Sequence, residues 1–542
     1  RSIRKTSKSH VFGNTIHSLT IYTMKKQMIL AMMASVAILA ACSDDDNGSG
    51  NPGPGPAPSG VYETGLVFGE KEGSDSVYYI GNGDKHFPAP KGDYVLNASR
   101  KYKLRGWVYI EDGSTITIPA GTVIRGDKQT QAALIIERGG QIFARGTASK
   151  PIVFTSEEAP GNRRPGDWGG LILCGRASNN KGEQQIEGGP RSYHGGGSNP
   201  VDTDNSGVLS YVRVEFAGFP FQTDKEINGI TFGSVGSGTT VDHLQVSYSN
   251  DDSFEWFGGS VGCKYLVAYH GWDDDFDTDN GFSGNLQFLL GVRDPRIADK
   301  SLSNGFESDN NSDGSDEEPY TTARFCNVTL IGPMGQDAAF YNQSASTENP
   351  GAYINAGEMF PNNGSGLGQF QAGVQIRRNS RISLYNSIVT GWPVALMIEK
   401  DKGDSPAAAT AGLFEISNVH FSGYDKALES FDNTAIDPVV GILSSDQNKT
   451  WLKGNGFTDG ILLRESYANK FYDAIDGVGL AQPVSTRSGF DPRPGTGSAA
   501  VNASYTVPSG FDASGNGFAG AFGTGENWMD GWTNFDPQNT VY

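Results

Sequence analysis

The stretch DHLQVSYSNDDSFEWFGGSVGCKYLVAYHGWDDDFDTDNGFSGNLQFLL, residues 242–290, contains the repeat from which the fold can be predicted. Three of its segments begin 21 residues apart: DHLQVSY at 242, CKYLVAY at 263 and GNLQFLL at 284. Each alternates apolar and other residues like a half-buried β-strand, and no segment with helical periodicity lies between them. A fixed period of this kind is typical of a solenoid, in which every repeat is one coil.

The same pattern recurs at longer spacings, which require insertions in the loops. It is present in SYVRVEF (210–216), CNVTLIG (326–332), YNSIVTG (385–391) and SNVHFSG (417–423). These segments resemble the strands of right-handed, pectate-lyase-like parallel β-helices, which often contain the pattern N-[small or apolar]-x-[apolar]. The resemblance covers about residues 100–425 and implies an all-β, right-handed parallel β-helix with three short strands and three turns per coil. A β-propeller would need blades of about 40–45 residues.

The repeat also sets the domain boundaries that we predict. The parallel β-helix extends over residues 105–425. Residues 61–104 are predicted to form an N-terminal cap, because the open end of a solenoid exposes unpaired strands. Residues 426–542 lose the period and end in a stretch rich in Trp, Pro and Asn. We therefore predict an irregular C-terminal capping region, packed along or over the last coils.

The beginning of the chain has the composition of a leader and a tether. Residues 1–23 look like readthrough upstream of a start at Met24, and residues 24–41 contain two lysines and a short apolar run, as a signal peptide does. The sequence LAAC (39–42) resembles a bacterial lipobox, and the following SDDD resembles the acidic export signal of Bacteroidetes surface lipoproteins. Residues 42–60 comprise this signal and a Gly/Pro-rich tether. These resemblances imply a lipid anchor on Cys42, an outer-membrane location and exposure on the cell surface; an ordinary secretory signal is the alternative.

Charge and cysteine content restrict the partners. The formal net charge is −19, and it becomes −25 without residues 1–41, which leaves 36 basic against 61 acidic residues. No basic cluster occurs in the rest of the chain, so the sequence argues against a nucleic-acid partner. The cysteines beyond Cys42 are odd in number, which excludes a complete disulfide framework and predicts buried free thiols at Cys174, Cys263 and Cys326.

Acidic residues recur at one position of successive coils. Three coils share a step from phenylalanine to an acid: Phe254-Glu255, Phe276-Asp277 and Phe306-Glu307. Residues one coil apart stack at about 4.8 Å, so the acids are predicted to form an outward column and the rings an inward ladder. A second column beside the first is predicted to contain Asp252, Asp275 and Asn304.

A column of carboxylates needs relief from its own repulsion. Two charges about 4.8 Å apart repel by about 3.5 kcal/mol at an effective dielectric of 20. A calcium ion, which binds six to eight oxygen ligands, offsets this repulsion with its positive charge. We therefore predict Ca²⁺ as the cofactor, with the ligands Asp252, Glu255, Asp275, Asp277, Glu307 and Asp309. Protonated catalytic acids and a merely solvated acidic face are the alternatives.

The catalytic machinery implied by the family resemblance is incomplete. Pectate lyases use carboxylate-bound Ca²⁺ with an Arg as base, which makes Asp252, Asp275, Asp277 and Arg293 the candidates here. The motif RDPR (293–296) departs from the family's spacing, and the Gly-His-Gly and Arg-x-Lys motifs of polygalacturonase-like β-helices are missing downstream of the acids. We therefore favour non-catalytic binding of extracellular carbohydrate. A polysaccharide lyase or glycoside hydrolase is the first alternative, and a structural or adhesive surface protein is the second.

Aromatic residues near the acidic coils are candidates for stacking on sugar rings. Trp256 and Trp272 are the predicted binding residues, and packing in the core is the alternative. Further candidates are Phe257, Phe282, Trp392 and Tyr341.

Overall fold

The computed structural model describes most of the chain from residue 65 onward. The described residues are 65–72, 74–222, 225–340, 342, 356–363, 365–399, 402–423, 439–440 and 467–542. All of them belong to one compact unit, Pro58–Tyr542. The predicted leader, the lipidation site Cys42, the tether and Tyr341 lie outside these residues, as does most of 424–466. Within the described part, no helix has the length and apolar character that crossing a membrane requires.

Two long sheets run side by side along the molecule. Sheet 1 contains sixteen strands: Val67–Glu72, Asp75–Ile80, Asp93–Val95, Lys101–Leu104, Thr115–Pro119, Val123–Gly126, Gln141–Arg145, Ile152–Ser156, Gly207–Glu215, Thr240–Ser247, Cys263–Tyr269, Asn285–Val292, Arg324–Ile331, Ser383–Thr390, Ile416–Ser422 and Lys470–Tyr472. Sheet 2 contains eleven strands: Phe87–Pro88, Trp107–Ile110, Ala133–Ile136, Gly170–Cys174, Ile230–Val235, Phe254–Gly259, Phe276–Asp279, Phe306–Ser308, Ala372–Ile376, Val394–Glu399 and Val439–Val440.

Strand pairing in these sheets is parallel except at their ends. The antiparallel pairs are Val67–Glu72 with Asp75–Ile80, and Val394–Glu399 with Val439–Val440. Each central strand of sheet 1 pairs with the strand one coil later, as Thr240–Ser247 does with Cys263–Tyr269. The predicted all-β, parallel β-helix fold is confirmed.

The remaining elements are short. Three antiparallel hairpins join Gln184–Gln185 to Tyr193–His194, Pro220–Gln222 to Lys225–Glu226, and Leu480–Gln482 to Asp491–Pro494. The described helices are the α-helices Pro333–Gln336 and Ser405–Thr410 and the 3₁₀ turns Gly357–Met359 and Ala513–Gly515.

Each central strand of sheet 1 bends at one residue in the left-handed conformation. The φ angles there lie between 45° and 63°, in a column formed by Tyr211, His243, Tyr265, Phe288, Asn327, Asn386 and Asn418. Asparagine tolerates this conformation, which explains the Asn of the strand pattern. Where the bend residue is aromatic, ring stacking supports it instead: the Tyr211 and His243 rings lie 4.1 Å apart. We call this column the bend column.

The interior of the coils is filled by stacked apolar side chains. The rings of Phe254 and Phe276 lie 5.6 Å apart, and those of Phe276 and Phe306 lie 5.4 Å apart. This confirms the predicted inward ladder. The cysteines at 174, 263 and 326 are buried and free, as predicted.

Parallel coils begin earlier in the chain than we predicted. Asp75–Ile80 pairs with Lys101–Leu104, and Asp93–Val95 pairs with Thr115–Pro119. Residues assigned to an N-terminal cap therefore already form strands of the solenoid. The pattern was inconspicuous because charged residues alternate with buried ones in these strands, as in Lys101–Leu104.

Beyond the sheet 1 strand Lys470–Tyr472, the rest of the C-terminal region, residues 473–542, lies along the outer face of sheet 1. We call it the C-terminal strap. Gln287 exchanges two hydrogen bonds with the backbone of Asp512, at 2.9 and 2.7 Å. Gln245 does the same with Asn534, at 2.7 and 2.8 Å. His420 bonds to Tyr505, Gln287 to Asp512 and Gln245 to Asn534, so from Tyr505 onward the strap runs back toward the early coils.

Candidate functional site: an acidic groove on sheet 2

Glu255, Asp277 and Glu307 form the predicted column on sheet 2. Strand register pairs Glu255 with Asp277, and Asp277 with Glu307. The phenylalanine that precedes each acid is buried in the core, so strand alternation turns the acids outward. Glu255 is nonetheless only 7% exposed, so its carboxylate is largely buried. We call the acidic surface of sheet 2 around Asp252, Glu255, Asp274, Asp277 and Glu307 the acidic groove.

The second column contains Asp274, whereas we predicted Asp275. The backbone N–H of Asp274 donates to Asp252 Oδ1 at 2.8 Å, and the backbone N–H of Asn304 donates to Asp274 Oδ1. The paired phenylalanines are 22 residues apart, so the partner of Asp252 is Asp274. The placement of Asp275 in this column was wrong by one residue.

Asp275 and Arg293 form a fully buried ion pair. Arg293 Nη1 donates to Asp275 Oδ1 at 3.0 Å, and both side chains are 0% exposed. Arg293 Nη2 also donates to the carbonyl of Trp272 at 3.2 Å. Burial raises the pKa of Asp275 to about 6, although Arg293 opposes the shift. Neither side chain can reach a bound polymer, so both predicted catalytic roles lose their physical basis.

The predicted sugar-stacking tryptophans are core residues. Trp256 and Trp272 are both 0% exposed. Trp256 packs inside the coil against Phe232, and Trp272 is covered by Phe360. The sequence placed Trp256 near the groove correctly, but its position two residues after the inward Phe254 turns it to the core. Phe257, Phe282 and Trp392 are also buried.

Carboxylates in the groove meet in three overlapping groups. Within each group the ligand atoms lie within 4.8 Å of one another: Asp251, Asp252 and Asp273; Asp252, Glu255 and Asp277; Asp274, Asp277 and Glu307. Acidic clusters that can hold a metal ion are therefore present. Asp251, Asp273 and Asp274 were not among the predicted ligands, although the runs of consecutive Asp at 251–252 and 273–275 signal them.

The carboxyl groups of the groove have strongly raised pKa values. Burial raises the pKa of Asp252, Glu255 and Asp277 well above the ordinary range, and neighbouring carboxylates raise it further. Burial also raises the pKa of Asp273 and of Asp279 to about 8, with the nearby Asp299 and Asp309 adding to the effect. With pKa values of about 8, Asp273 and Asp279 favour the protonated form at neutral pH when no cation is bound.

The two ends of the groove differ in whether basic side chains neutralise their carboxylates. At the end nearer the C-terminus, Asp309 accepts hydrogen bonds from Arg377 Nε at 2.8 Å and Arg378 Nη1 at 2.6 Å. Arg377 also contacts Glu307. Asp309, a predicted metal ligand, is therefore occupied by arginines and lies outside the three groups.

At the other end of the groove, no ion pair of the described residues involves Asp252, Glu255 or Asp277. Asn228 donates from Nδ2 to Glu255 Oε2, while its own Oδ1 is buried without a hydrogen-bond partner. Asp277 Oδ1 is likewise buried and unpartnered. Unsatisfied oxygens at this end are the feature that a cation would complete.

An open cavity adjoins the acidic groove. Its volume is about 540 Å³, and its walls include Phe221, Phe257, Gln185 and Asp279. The cavity also contains Lys181, which is paired with Glu317 at 2.8 Å. We call this space the groove cavity; it combines apolar ring surface with polar groups, as small-molecule sites do.

Comparison with known families agrees with this architecture. Residues 89–459 match the family described as the pectate-lyase like β-helix domain. The chain belongs to this family. The match starts ahead of residue 105, in agreement with the early parallel strands of the pectate-lyase like fold. Neither a curated protein nor a solved structure matches the chain.

Proposed function

We propose that the protein is a lipid-anchored lipoprotein of the outer-membrane surface whose β-helix binds extracellular carbohydrate, with Ca²⁺ in the acidic groove. Pectate-lyase like β-helix domains are commonly carbohydrate-active. The observation that carries the proposal is the set of three overlapping carboxylate groups beside an open cavity. A polymer lying along sheet 2 would contact both.

The calcium position that we favour lies at Asp252, Glu255 and Asp277. All ligand atoms of this group are carboxylate oxygens, which hard cations such as Ca²⁺ prefer. No arginine or lysine of the described residues competes for them, in contrast to Glu307. Burial and, after it, mutual repulsion raise the pKa of the three acids, and a cation here would offset both effects.

Non-catalytic binding remains the better-supported activity. The buried Asp275 and Arg293 remove the predicted arginine base. One observation favours a glycoside hydrolase as second candidate: burial raises the pKa of Asp279 to about 8, and Asp279 lines the groove cavity. A carboxyl that holds its proton at neutral pH can act as a general acid.

Thermal unfolding tests the cation. Wild-type protein is melted in EDTA and in CaCl₂ at equal ionic strength, alongside Asp313→Asn, whose carboxylate is 77% exposed and lies outside the groups. We expect calcium to raise the Tm of both proteins. A wild-type Tm that is the same in EDTA and in CaCl₂ would rule out a bound calcium ion.

Affinity electrophoresis and product analysis on a panel of neutral and acidic polysaccharides test the ligand. Retardation without products supports binding, and products that disappear in Asp279→Asn support the hydrolase. Neither retardation nor products would favour a structural or adhesive role. Fatty-acid labelling of cells that produce wild type or Cys42→Ala, followed by protease treatment of intact cells, tests the anchor and surface exposure.

A further inference from the structure

A two-stranded hairpin separates the groove cavity from a second cavity. Gln185 pairs with Tyr193 across this hairpin. Gln185 lines the groove cavity, whereas Tyr193 lines the second cavity, whose volume is about 620 Å³. We call the second space the hairpin cavity. Its walls carry four basic and three acidic side chains besides Ser192 and Tyr193.

Tyr193 is fixed with its ring toward solvent. The next residue, His194, is fully buried, and its Nδ1 lies 2.9 Å from Ser234 Oγ. Alternation along the strand therefore turns Tyr193 outward, where it is 47% exposed. Its ring has no aromatic partner among the described residues. A half-exposed aromatic ring on an anchored hairpin is the platform that the buried tryptophans do not supply.

Two ion pairs line the same cavity as this ring. Arg191 Nη2 lies 2.5 Å from Glu111 Oε1, and Arg176 Nη2 lies 3.0 Å from Asp112 Oδ1. Ser192 Oγ donates to Glu137 at 2.8 Å. Each ion pair places N–H donors beside carboxylate acceptors, and a guanidinium has five N–H donors to share.

We propose that the hairpin cavity is a binding subsite for a neutral saccharide, with one sugar ring packed on Tyr193. Sugar hydroxyls both donate and accept, so they can bond the Arg191–Glu111 and Arg176–Asp112 pairs simultaneously. This inference rests on the proposed carbohydrate function and names a ligand class and a subsite for it.

Charge balance distinguishes a neutral ligand from an anionic one. Arg138, the third arginine of the cavity, lies 2.6 Å from Glu183, so its charge is also compensated. Lys91 is the fourth basic residue of the lining, and no ion pair of the described residues includes it, so the anionic probes below test whether its charge attracts an acidic sugar. A uronate or sulfate group would meet the carboxylates of Glu111 and Glu137 together with the arginines. A neutral sugar meets no such repulsion and uses both partners of each pair.

Binding is measured by isothermal titration in calcium with cellohexaose, mannohexaose, xylohexaose and maltohexaose, and with polygalacturonate and heparin as anionic probes. We expect at least one neutral hexasaccharide to bind wild type. Tyr193→Ala should weaken that binding at least about tenfold, whereas Tyr193→Phe should retain it. Phe68→Ala is the matched control, because Phe68 is 39% exposed on the first strand.

The outcomes separate this inference from the proposed function. Wild-type affinity retained in Tyr193→Ala, with the Tm unchanged, overturns the subsite alone. Preference for polygalacturonate or heparin overturns the neutral ligand class but leaves carbohydrate binding in place. Failure of every saccharide to bind wild type overturns the proposed function and the subsite together.

Discussion

The polar side chains on the outer faces of the two long sheets differ in whether the chain supplies them with hydrogen-bond partners. On sheet 1, Gln245 and Gln287 each exchange paired hydrogen bonds with the strap. On sheet 2, Asp277 keeps a buried oxygen without a partner, and Asp252 and Glu255 have raised pKa values. An outward polar residue is structural where the chain supplies its partner, and it indicates a ligand where the chain does not.

Breaking the contact between the strap and sheet 1 should have the largest effect on the free energy of unfolding. Trp532 is fully buried against Tyr211 and His243, and its carbonyl accepts from Arg213 Nη1 at 2.9 Å. We expect Trp532→Ala to lower the free energy of unfolding by about 3–5 kcal/mol, measured by denaturant titration. Phe68→Ala should change it by less than about 1 kcal/mol. Equal losses in the two variants would contradict the structural role of the strap.

The effect of Asp277→Asn on stability should change sign when calcium is present. In EDTA we expect the variant to be more stable than wild type by about 1–3 kcal/mol, because one member of the carboxylate column loses its charge. In CaCl₂ the order should reverse, because a ligand is lost. Glu307→Gln is the comparison variant, since removing its charge leaves Arg377 without that partner. Thermal melts with the same order in both buffers would rule out Asp277 as a ligand.

The metal-free protein should lose stability as the pH rises. The pKa of Asp273 and of Asp279 is about 8 in the folded state, against an ordinary value of 3.8. The folded state therefore binds these protons more tightly, so their contribution is complete below about pH 4 and disappears through about pH 8. We expect a lower Tm at pH 8 than at pH 5.5 in EDTA. Calcium should reduce this difference, and a Tm that rises with pH in EDTA would contradict the assignment.

A substitution in the bend column should have the smallest effect on the free energy of unfolding. Asn418 has a φ of 54°, and its Nδ2 donates to Asn386 Oδ1 at 3.0 Å. Asn418→Ala is expected to lower the free energy of unfolding by about 1–2 kcal/mol, because it loses this bond and strains the bend. Asn418→Gly should cost less than Asn418→Ala, since glycine adopts positive φ freely. Denaturant titration of both variants measures the difference.

Sequence periodicity predicted the solenoid because the inward positions of each coil must all be apolar. The Phe254, Phe276 and Phe306 ladder followed directly, and with it the outward column of acids. The error at Asp275 was one of register: Asp252 lies two residues before Phe254, so its counterpart two residues before Phe276 is Asp274, and Asp275 lies only one residue before that ring. The tryptophan prediction failed because a strand hides every second side chain, and Trp256 shares the face of Phe254.

Other features depended on contacts between residues distant in sequence. The pairing of Asp309 with Arg377 and Arg378 joins coils separated by about seventy residues, which no local pattern records. The strap is equally invisible, because its partners on sheet 1 are ordinary polar residues of strands. The exposed Tyr193 lies in a short insertion that interrupts the repeat.

The strap also changes how the solenoid can come apart. In a simple solenoid each coil contacts only its neighbours, so an end can fray one repeat at a time. Here a single segment joins His420 through Tyr505, Gln287 through Asp512 and Glu215 through Tyr542. Opening any of these coils must also release a segment that holds the others. We therefore expect the coils from Glu215 to His420 to unfold together and not one repeat at a time.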